Sequence, residues 1–149
     1  MNTSIHNFLI DQSIGTDNKI FADAAKIRKS VFVQEQGLSI ENEFDEPDDT
    51  ANHVVLYIDD APIACGRLNF FNGQAKLCRL AVLSEHRNNG YGSLVFKTLL
   101  DAVKKNNIDF AYIHAQTRAT GFYNKFGFVA EGNTFLEVGI PHIRMSKRL

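Results

Sequence analysis

Apolar residues along this chain recur with two periods, near 3.6 and near 2, and the switches between them lay out its elements. Phe21, Ala24, Ala25, Ile27, Val31 and Phe32 fall at helical spacing, which predicts a helix capped by Asp17 or Asn18 and ending near Gly37. A short strand over Ser4 to Leu9 precedes it. His53 to Ile58, Ala61 to Phe70 and Ala75 to Leu83 read as strands. Asp59-Asp60 turns the first into the second, and Asn72-Gly73 is a hairpin dipeptide between the second and third. Helical spacing returns with Tyr91, Leu94, Val95, Leu99, Ala102 and Val103, predicting a helix that stops near Asn106-Asn107. Phe110 to His114 is a strand, and Thr117 to Phe126 is a short helix ended by Gly127. Phe128 to Ala130, Phe135 to Val138 and Ile143 to Met145 are closing strands. Strands, a glycine-bearing turn, then helix, strand, helix and strands sum to an α/β fold: a mixed, mostly antiparallel sheet flanked by helices.

A chain of 149 residues has the length of a single domain, 1–149. Its 44% hydrophobic and 22% charged residues exclude a disordered protein. A formal net charge of -1 offers no general attraction to nucleic acid. No basic region followed by an apolar stretch opens the chain, and no run of about 18 apolar residues occurs. A cytoplasmic protein with no membrane partner is expected. No repeat or low-complexity tract divides it.

The Asn72-Gly73 turn pairs Phe71 with Gln74. Counting outward sets Cys78 opposite Arg67 and makes Cys65 its diagonal neighbour, about 7 to 8 Å away, too far for an unstrained disulfide. Two free thiols are expected and, with no CxxC or HExxH spacing, no metal. Glu41, Glu43, Asp45, Glu46, Asp48 and Asp49 crowd around Phe44 and Pro47, and this segment is predicted to be a loop. It is either a solvated charge run or a negative field that draws a cationic substrate.

The chemistry concentrates at Arg87-Asn88-Asn89-Gly90-Tyr91-Gly92-Ser93, where a strand turns into a helix through two glycines. Such a turn aims unpaired backbone N–H groups at one spot beside the helix dipole and favours phosphate. The Arg87 fork could meet a pyrophosphate. The spacing R-x-x-G-x-G lacks the third glycine of a dinucleotide loop and the Gly-Lys-Ser/Thr of a nucleotide-triphosphate loop. A plain connector has the same glycines.

The stretch LCRLAVLSEHRNNGYGSLVFKTLL resembles the strand, pyrophosphate loop and helix of the GCN5-related N-acetyltransferase superfamily. Ala119 to Phe128, ATGFYNKFGF, resembles the A-x-x-F-Y-x-K-x-G-F stretch that follows the next strand there. VFVQEQG, the acidic segment and FLEVGIPHIRM are similar to a bacterial ElaA-like subgroup. The resemblance implies a GNAT-like, acyl-CoA N-acyltransferase fold. In it the backbone of Leu80, Ala81 and Val82 pairs with the pantetheine arm, and the backbone of Arg87, Asn88, Asn89, Gly90, Tyr91 and Gly92, with Ser93, holds the pyrophosphate. Gln116 stands where members often carry a cofactor-contacting Asn. Tyr123 stands near the sulfur and would act as general acid toward the leaving thiolate. Acetyl-CoA would be the donor, passing its acetyl group directly to a primary amine of a small molecule.

An alkyl ammonium of pKa about 10.4 must first lose a proton, so a base or water relay is useful. Candidates are Glu35, the acidic segment, His53 and His142, with the subgroup likeness favouring Glu35 and His142 on the substrate side. Glu35 could equally be a solvated helix end, His53 a strand-edge residue and His142 a turn residue. Two alternatives stand beside this reading: an acyl-CoA-binding sensor or regulatory module without catalysis, and an acetyltransferase of protein or peptide amino groups. A homodimer is compatible with all three.

Overall fold

The computed structural model describes residues 7–149. Strands β1 (Phe8–Ile14), β2 (Asn52–Ile58), β3 (Ala61–Phe71), β4 (Gln74–Val82), β5 (Phe110–Gln116), β6 (Val129–Glu137) and β7 (Ile140–Arg148) form one seven-stranded sheet in the order β1-β2-β3-β4-β5-β7-β6. Every neighbouring pair is antiparallel except β4 and β5. Helix α1 (Lys19–Arg28) starts at Asn18, whose Oδ1 accepts the Phe21 N–H at 2.8 Å. It runs on as a π-helical stretch, Lys29–Glu35, and the chain leaves it at Gly37. Helices α3 (Tyr91–Lys105) and α4 (Thr120–Asn124) cover the opposite face.

The two apolar stripes found by periodicity bury opposite faces of the sheet. Val95, Phe96, Leu99 and Val103 of α3 pack on Val54, Leu56, Leu68, Leu77 and Ile113. Ala24, Ile27, Val31 and Phe32 pack on Val55, Tyr57, Cys65 and Ala81. At Gly66 the α3 side chains press directly on the strand: a Cβ there would stand 2.7 Å from Leu99 Cδ1 and 3.0 Å from Val95 Cγ1. Gly66→Ala is therefore expected to destabilise the fold by about 1 to 3 kcal/mol through overpacking, read in urea denaturation.

The closing strands number two, not three, because β6 continues through an irregularity between Glu131 and Phe135. The first strand lies at Phe8–Ile14 rather than Ser4 to Leu9, and residues 4–6 of that expectation fall outside the described residues. This edge strand is exposed on both faces, so pairing with β2 rather than apolar alternation places it. Arg67 does pair with Cys78, but a slip in register sets Cys65 opposite Ala81, and both thiols are free.

The acidic segment is not a loop. It forms α2 (Ile40–Glu43), capped by Ser39 Oγ, and a 3₁₀ turn at Glu46–Asp49. Nor is it a solvated charge run. Arg28, 1% exposed, bonds Glu43 Oε2 and Asp48 Oδ1, each at 2.8 Å. Arg67 reaches Asp45 at 2.7 Å and Asp48 at 2.9 Å. Arg79 reaches Glu43 Oε2 at 3.0 Å and Asp45 at 3.1 Å. Three arginines thus neutralise Glu43, Asp45 and Asp48, which leaves these acids no field for a cationic substrate.

Candidate functional site

Strands β4 and β5 pair only at Ala75 with Ala111 and Lys76 with Tyr112, then part. A bulge in β4 assists the parting. Cys65 faces Ala81 and Arg67 faces Cys78, so Arg79 and Leu80 together oppose Gly66. Arg79 has φ of 54°, which a non-glycine residue adopts at a cost. Its guanidinium is meanwhile fixed on the carbonyl and carboxylate of Glu43. A cleft of about 710 Å³ runs through the gap, lined by Leu80 and Val82 of β4, Gly92 of α3, Gln116 of β5, and Tyr123 and His142. The Ala81 side chain is buried against the α1 cluster, so β4 offers the cleft mainly its backbone edge there.

The N-terminus of α3 opens into this cleft. Gly90, at φ of 82°, is its N-cap; no side chain caps it and no acidic residue occupies the first turn. Leu94 is the first residue to bond back, to the Gly90 carbonyl at 3.2 Å. The N–H groups of Tyr91, Gly92 and Ser93 precede the first intrahelical bond and carry about half a positive charge between them. A Cβ on Gly92 would meet Val82 Cγ2 at 3.5 Å, an ordinary contact, and one on Gly90 would meet nothing within 4 Å. The glycines therefore leave space over the helix end that the protein itself does not fill. Asn88 takes φ of 67°, and Asn89 Nδ2 donates to the His86 and Arg87 carbonyls, shaping the turn. Bare amides, a helix dipole and an open cradle fit a pyrophosphate.

The Arg87 side chain does not follow that expectation. Its fork donates to both oxygens of Glu35 at 2.7 Å and its Nε donates to the Val82 carbonyl at 3.0 Å, so it clasps the turn to the π-helical stretch. The same hydrogen bonds hold the Glu35 carboxyl below its ordinary range, which makes Glu35 a poor proton acceptor. Gln116 donates to Gln36 Oε1 at 3.0 Å and accepts from Arg118 Nε at 3.0 Å, a second tie across the cleft mouth.

Tyr123 sits on α4 with its ring edge-on to Phe96 at 5.3 Å and Phe122 at 5.1 Å. Burial pushes its phenol up to about 12, so it stays protonated at any working pH. His53, by contrast, is 1% exposed under the acidic segment, with Nε2 3.0 Å from the Asp48 carbonyl and its pKa lowered by burial. It does not line the cleft.

At the other end of the cleft the structure brings His142, a candidate from the sequence, together with His114 and Glu137, which the sequence reading passed over. His114 Nδ1 lies 3.0 Å from Glu137 Oε1, and His142 Nε2 lies 3.7 Å from Glu137 Oε2. The His114 hydrogen bond draws the Glu137 carboxyl below its ordinary range. Alternation along FAYIHAQ puts Tyr112, His114 and Gln116 on one face of β5, the face opposite the buried Ala111, Ile113 and Ala115. That signal was present in the sequence. Among the described residues no group of three or more His, Cys, Asp or Glu is placed to hold a metal ion.

A family described as an acetyltransferase (GNAT) domain matches residues 18–149. The uncharacterized N-acetyltransferase YjcF of Bacillus subtilis (strain 168) is 36% identical over 135 residues, covering 90% of this chain and 96% of that protein. An acyl-CoA N-acyltransferase from Pseudomonas aeruginosa, 27% identical, superposes with a TM-score of 0.84 over 95% of this chain and 99% of that one. Escherichia coli ElaA shares the fold at a TM-score of 0.85 and 23% identity, over 94% of this chain and 99% of that one.

Proposed function

Since the chain belongs to the acetyltransferase (GNAT) family and is an N-acetyltransferase, we propose that it transfers an acetyl group from acetyl-CoA directly to the primary amine of a small molecule. The observation that carries this reading is the uncapped N-terminus of α3 opening into the gap between β4 and β5, with Tyr123 on the same cleft. When bound, acetyl-CoA supplies a thioester, an acyl group activated toward an amine. The N–H groups at Tyr91, Gly92 and Ser93 would bind the pyrophosphate, and the free backbone edge of β4 at Leu80, Ala81 and Val82 would orient the arm. The cleft volume lies within the range of small-molecule sites. A cytoplasmic location agrees with two free thiols.

Tyr123 would donate a hydrogen bond to the departing sulfur. A phenol at about 12 is a weak acid, and thiolate is already a good leaving group, so its contribution is modest. Tyr123→Phe is expected to lower kcat about 10-fold with acetyl-CoA affinity unchanged by calorimetry. A parental rate would remove the acid role. The reading as a whole is tested by calorimetric titration of acetyl-CoA, followed by thiol release across a panel of small amines, polyamines and peptides. Binding with release on small amines supports it. Binding without release from any of them would indicate a sensor, and release on peptides alone a protein acetyltransferase.

A further inference from the structure

We infer that His114 is the general base of this site, its Nε2 taking the proton of the acceptor ammonium while Glu137 holds the ring in place. The inference rests on the transfer reading above and names a residue that reading leaves open.

Three of the base candidates raised by the sequence are disqualified by geometry. Glu35 is clasped by Arg87, His53 lies outside the cleft, and the acids at 43, 45 and 48 are bound by arginines. His142 lines the cleft, but its Nδ1 lies 2.6 Å from the Ile140 carbonyl and must therefore donate. Its Nε2 then faces a Glu137 carboxylate oxygen at 3.7 Å rather than the open cleft.

His114 has the reverse arrangement. Glu137 is ionised, with its carboxyl held below the usual range by the His114 hydrogen bond, so Oε1 accepts and Nδ1 must carry the hydrogen. In the neutral ring the lone pair is then on Nε2, which takes no hydrogen bond among the described residues while the side chain lines the cleft. A carboxylate that fixes the tautomer and leaves the Nε2 lone pair toward the cleft is the arrangement a histidine base needs. The ring is also held mechanically, edge-on to Phe135 at 5.2 Å and 5.9 Å from the Tyr112 ring.

The protons balance as follows. The ammonium gives one proton to Nε2, and the freed lone pair forms the C–N bond as the C–S bond breaks. The imidazolium passes that proton to water through the open cleft. The nitrogen's second proton replaces the one that Tyr123 gives to the sulfur. Of the charged and titratable groups around His114, Glu137 from β6 bonds its ring, Arg144 of β7 is its strand partner and Tyr112 of its own strand lies beside it. His142 of β7 approaches Glu137, and Lys76 of β4 lies opposite Tyr112. Of these only Glu137 is hydrogen-bonded to the ring.

The test uses the amine that gives the fastest thiol release with the parent protein. His114→Ala is expected to lose about 100-fold in kcat or more, to keep the parent's acetyl-CoA affinity and melting temperature, to lose the acidic limb of the pH profile, and to regain rate with added imidazole. Glu137→Gln, which keeps an acceptor for Nδ1 but removes the charge, is expected to lower kcat about 10-fold with acetyl-CoA affinity unchanged. Independently of turnover, the ¹⁵N spectrum of the parent's His114 should show the Nδ1–H tautomer. A parental rate in His114→Ala, a slowed variant that keeps the limb and ignores imidazole, or an Nε2–H tautomer would each overturn the inference while leaving the transfer reading intact. A parent that fails to bind acetyl-CoA, or that acetylates no amine, would sink both.

Discussion

Gly92→Asp is expected to bind acetyl-CoA on the order of 100-fold more weakly than the parent while melting within a few degrees of it. Two like charges about 4 Å apart near a protein surface repel by about 4 kcal/mol, and the open cleft screens part of that. The aspartate would also offer its carboxylate to the amides of the first turn, competing for the donors the pyrophosphate needs. Position 92 is the cleaner of the two glycines. Its Cβ meets only ordinary contacts, whereas Gly90 sits at φ of 82°, where any side chain adds backbone strain of about 1 kcal/mol. Gly92→Ala is the control for bulk without charge. Calorimetry reads the affinity and a thermal melt the fold; parental affinity in Gly92→Asp would place the anion elsewhere.

Asp48→Ala is expected to cost about 3 to 5 kcal/mol of folding stability. The loss falls on Arg28 and Arg67 together, 1% and 4% exposed, each left with one fewer carboxylate in a site water cannot reach. Urea denaturation would read it directly, and at this chain length the melting temperature should fall by roughly 10 °C. The pH dependence has a definite sign. Burial alone would raise the Asp48 carboxyl, but the Arg28 and Arg67 guanidiniums outweigh it and hold it below its ordinary value. Its stabilisation is therefore present above the ordinary carboxylate pKa and lost as pH falls through the lower folded value. Asp48→Ala should remove that part of the acid sensitivity. The effect should also extend to the cleft, because Arg79, which holds the β4 bulge, shares Glu43 with Arg28 and Asp45 with Arg67.

The legibility of this molecule in its sequence follows the range of the forces involved. Elements set by local periodicity and turn chemistry were read nearly to the residue: α1 from its Asn18 cap, the Asn72-Gly73 hairpin with Arg67 opposite Cys78, and α3 from Gly90. The glycine-bearing turn into an uncapped helix end was legible for the same reason, since a helix start and two glycines are local features. What failed depended on partners distant in the chain. Glu43 and Asp48 looked like solvated charge because Arg28, Arg67 and Arg79 lie 15 to 36 residues away. Arg87 looked free for phosphate because Glu35, 52 residues earlier, cannot be paired with it from spacing. Glu137 was invisible as a partner of His114 until β7 brought β5 and β6 to its two sides. Strand β1 was misplaced because an edge strand exposed on both faces carries no alternation to read.

A crystal of the protein grown with coenzyme A decides most directly whether the start of α3 is the anion site. Pyrophosphate oxygens are expected about 2.7 to 3.2 Å from the backbone nitrogens of residues 91 to 93, with the pantetheine arm lying along Leu80, Ala81 and Val82. Coenzyme density seated away from that turn, with those nitrogens bonded only to water, would contradict it.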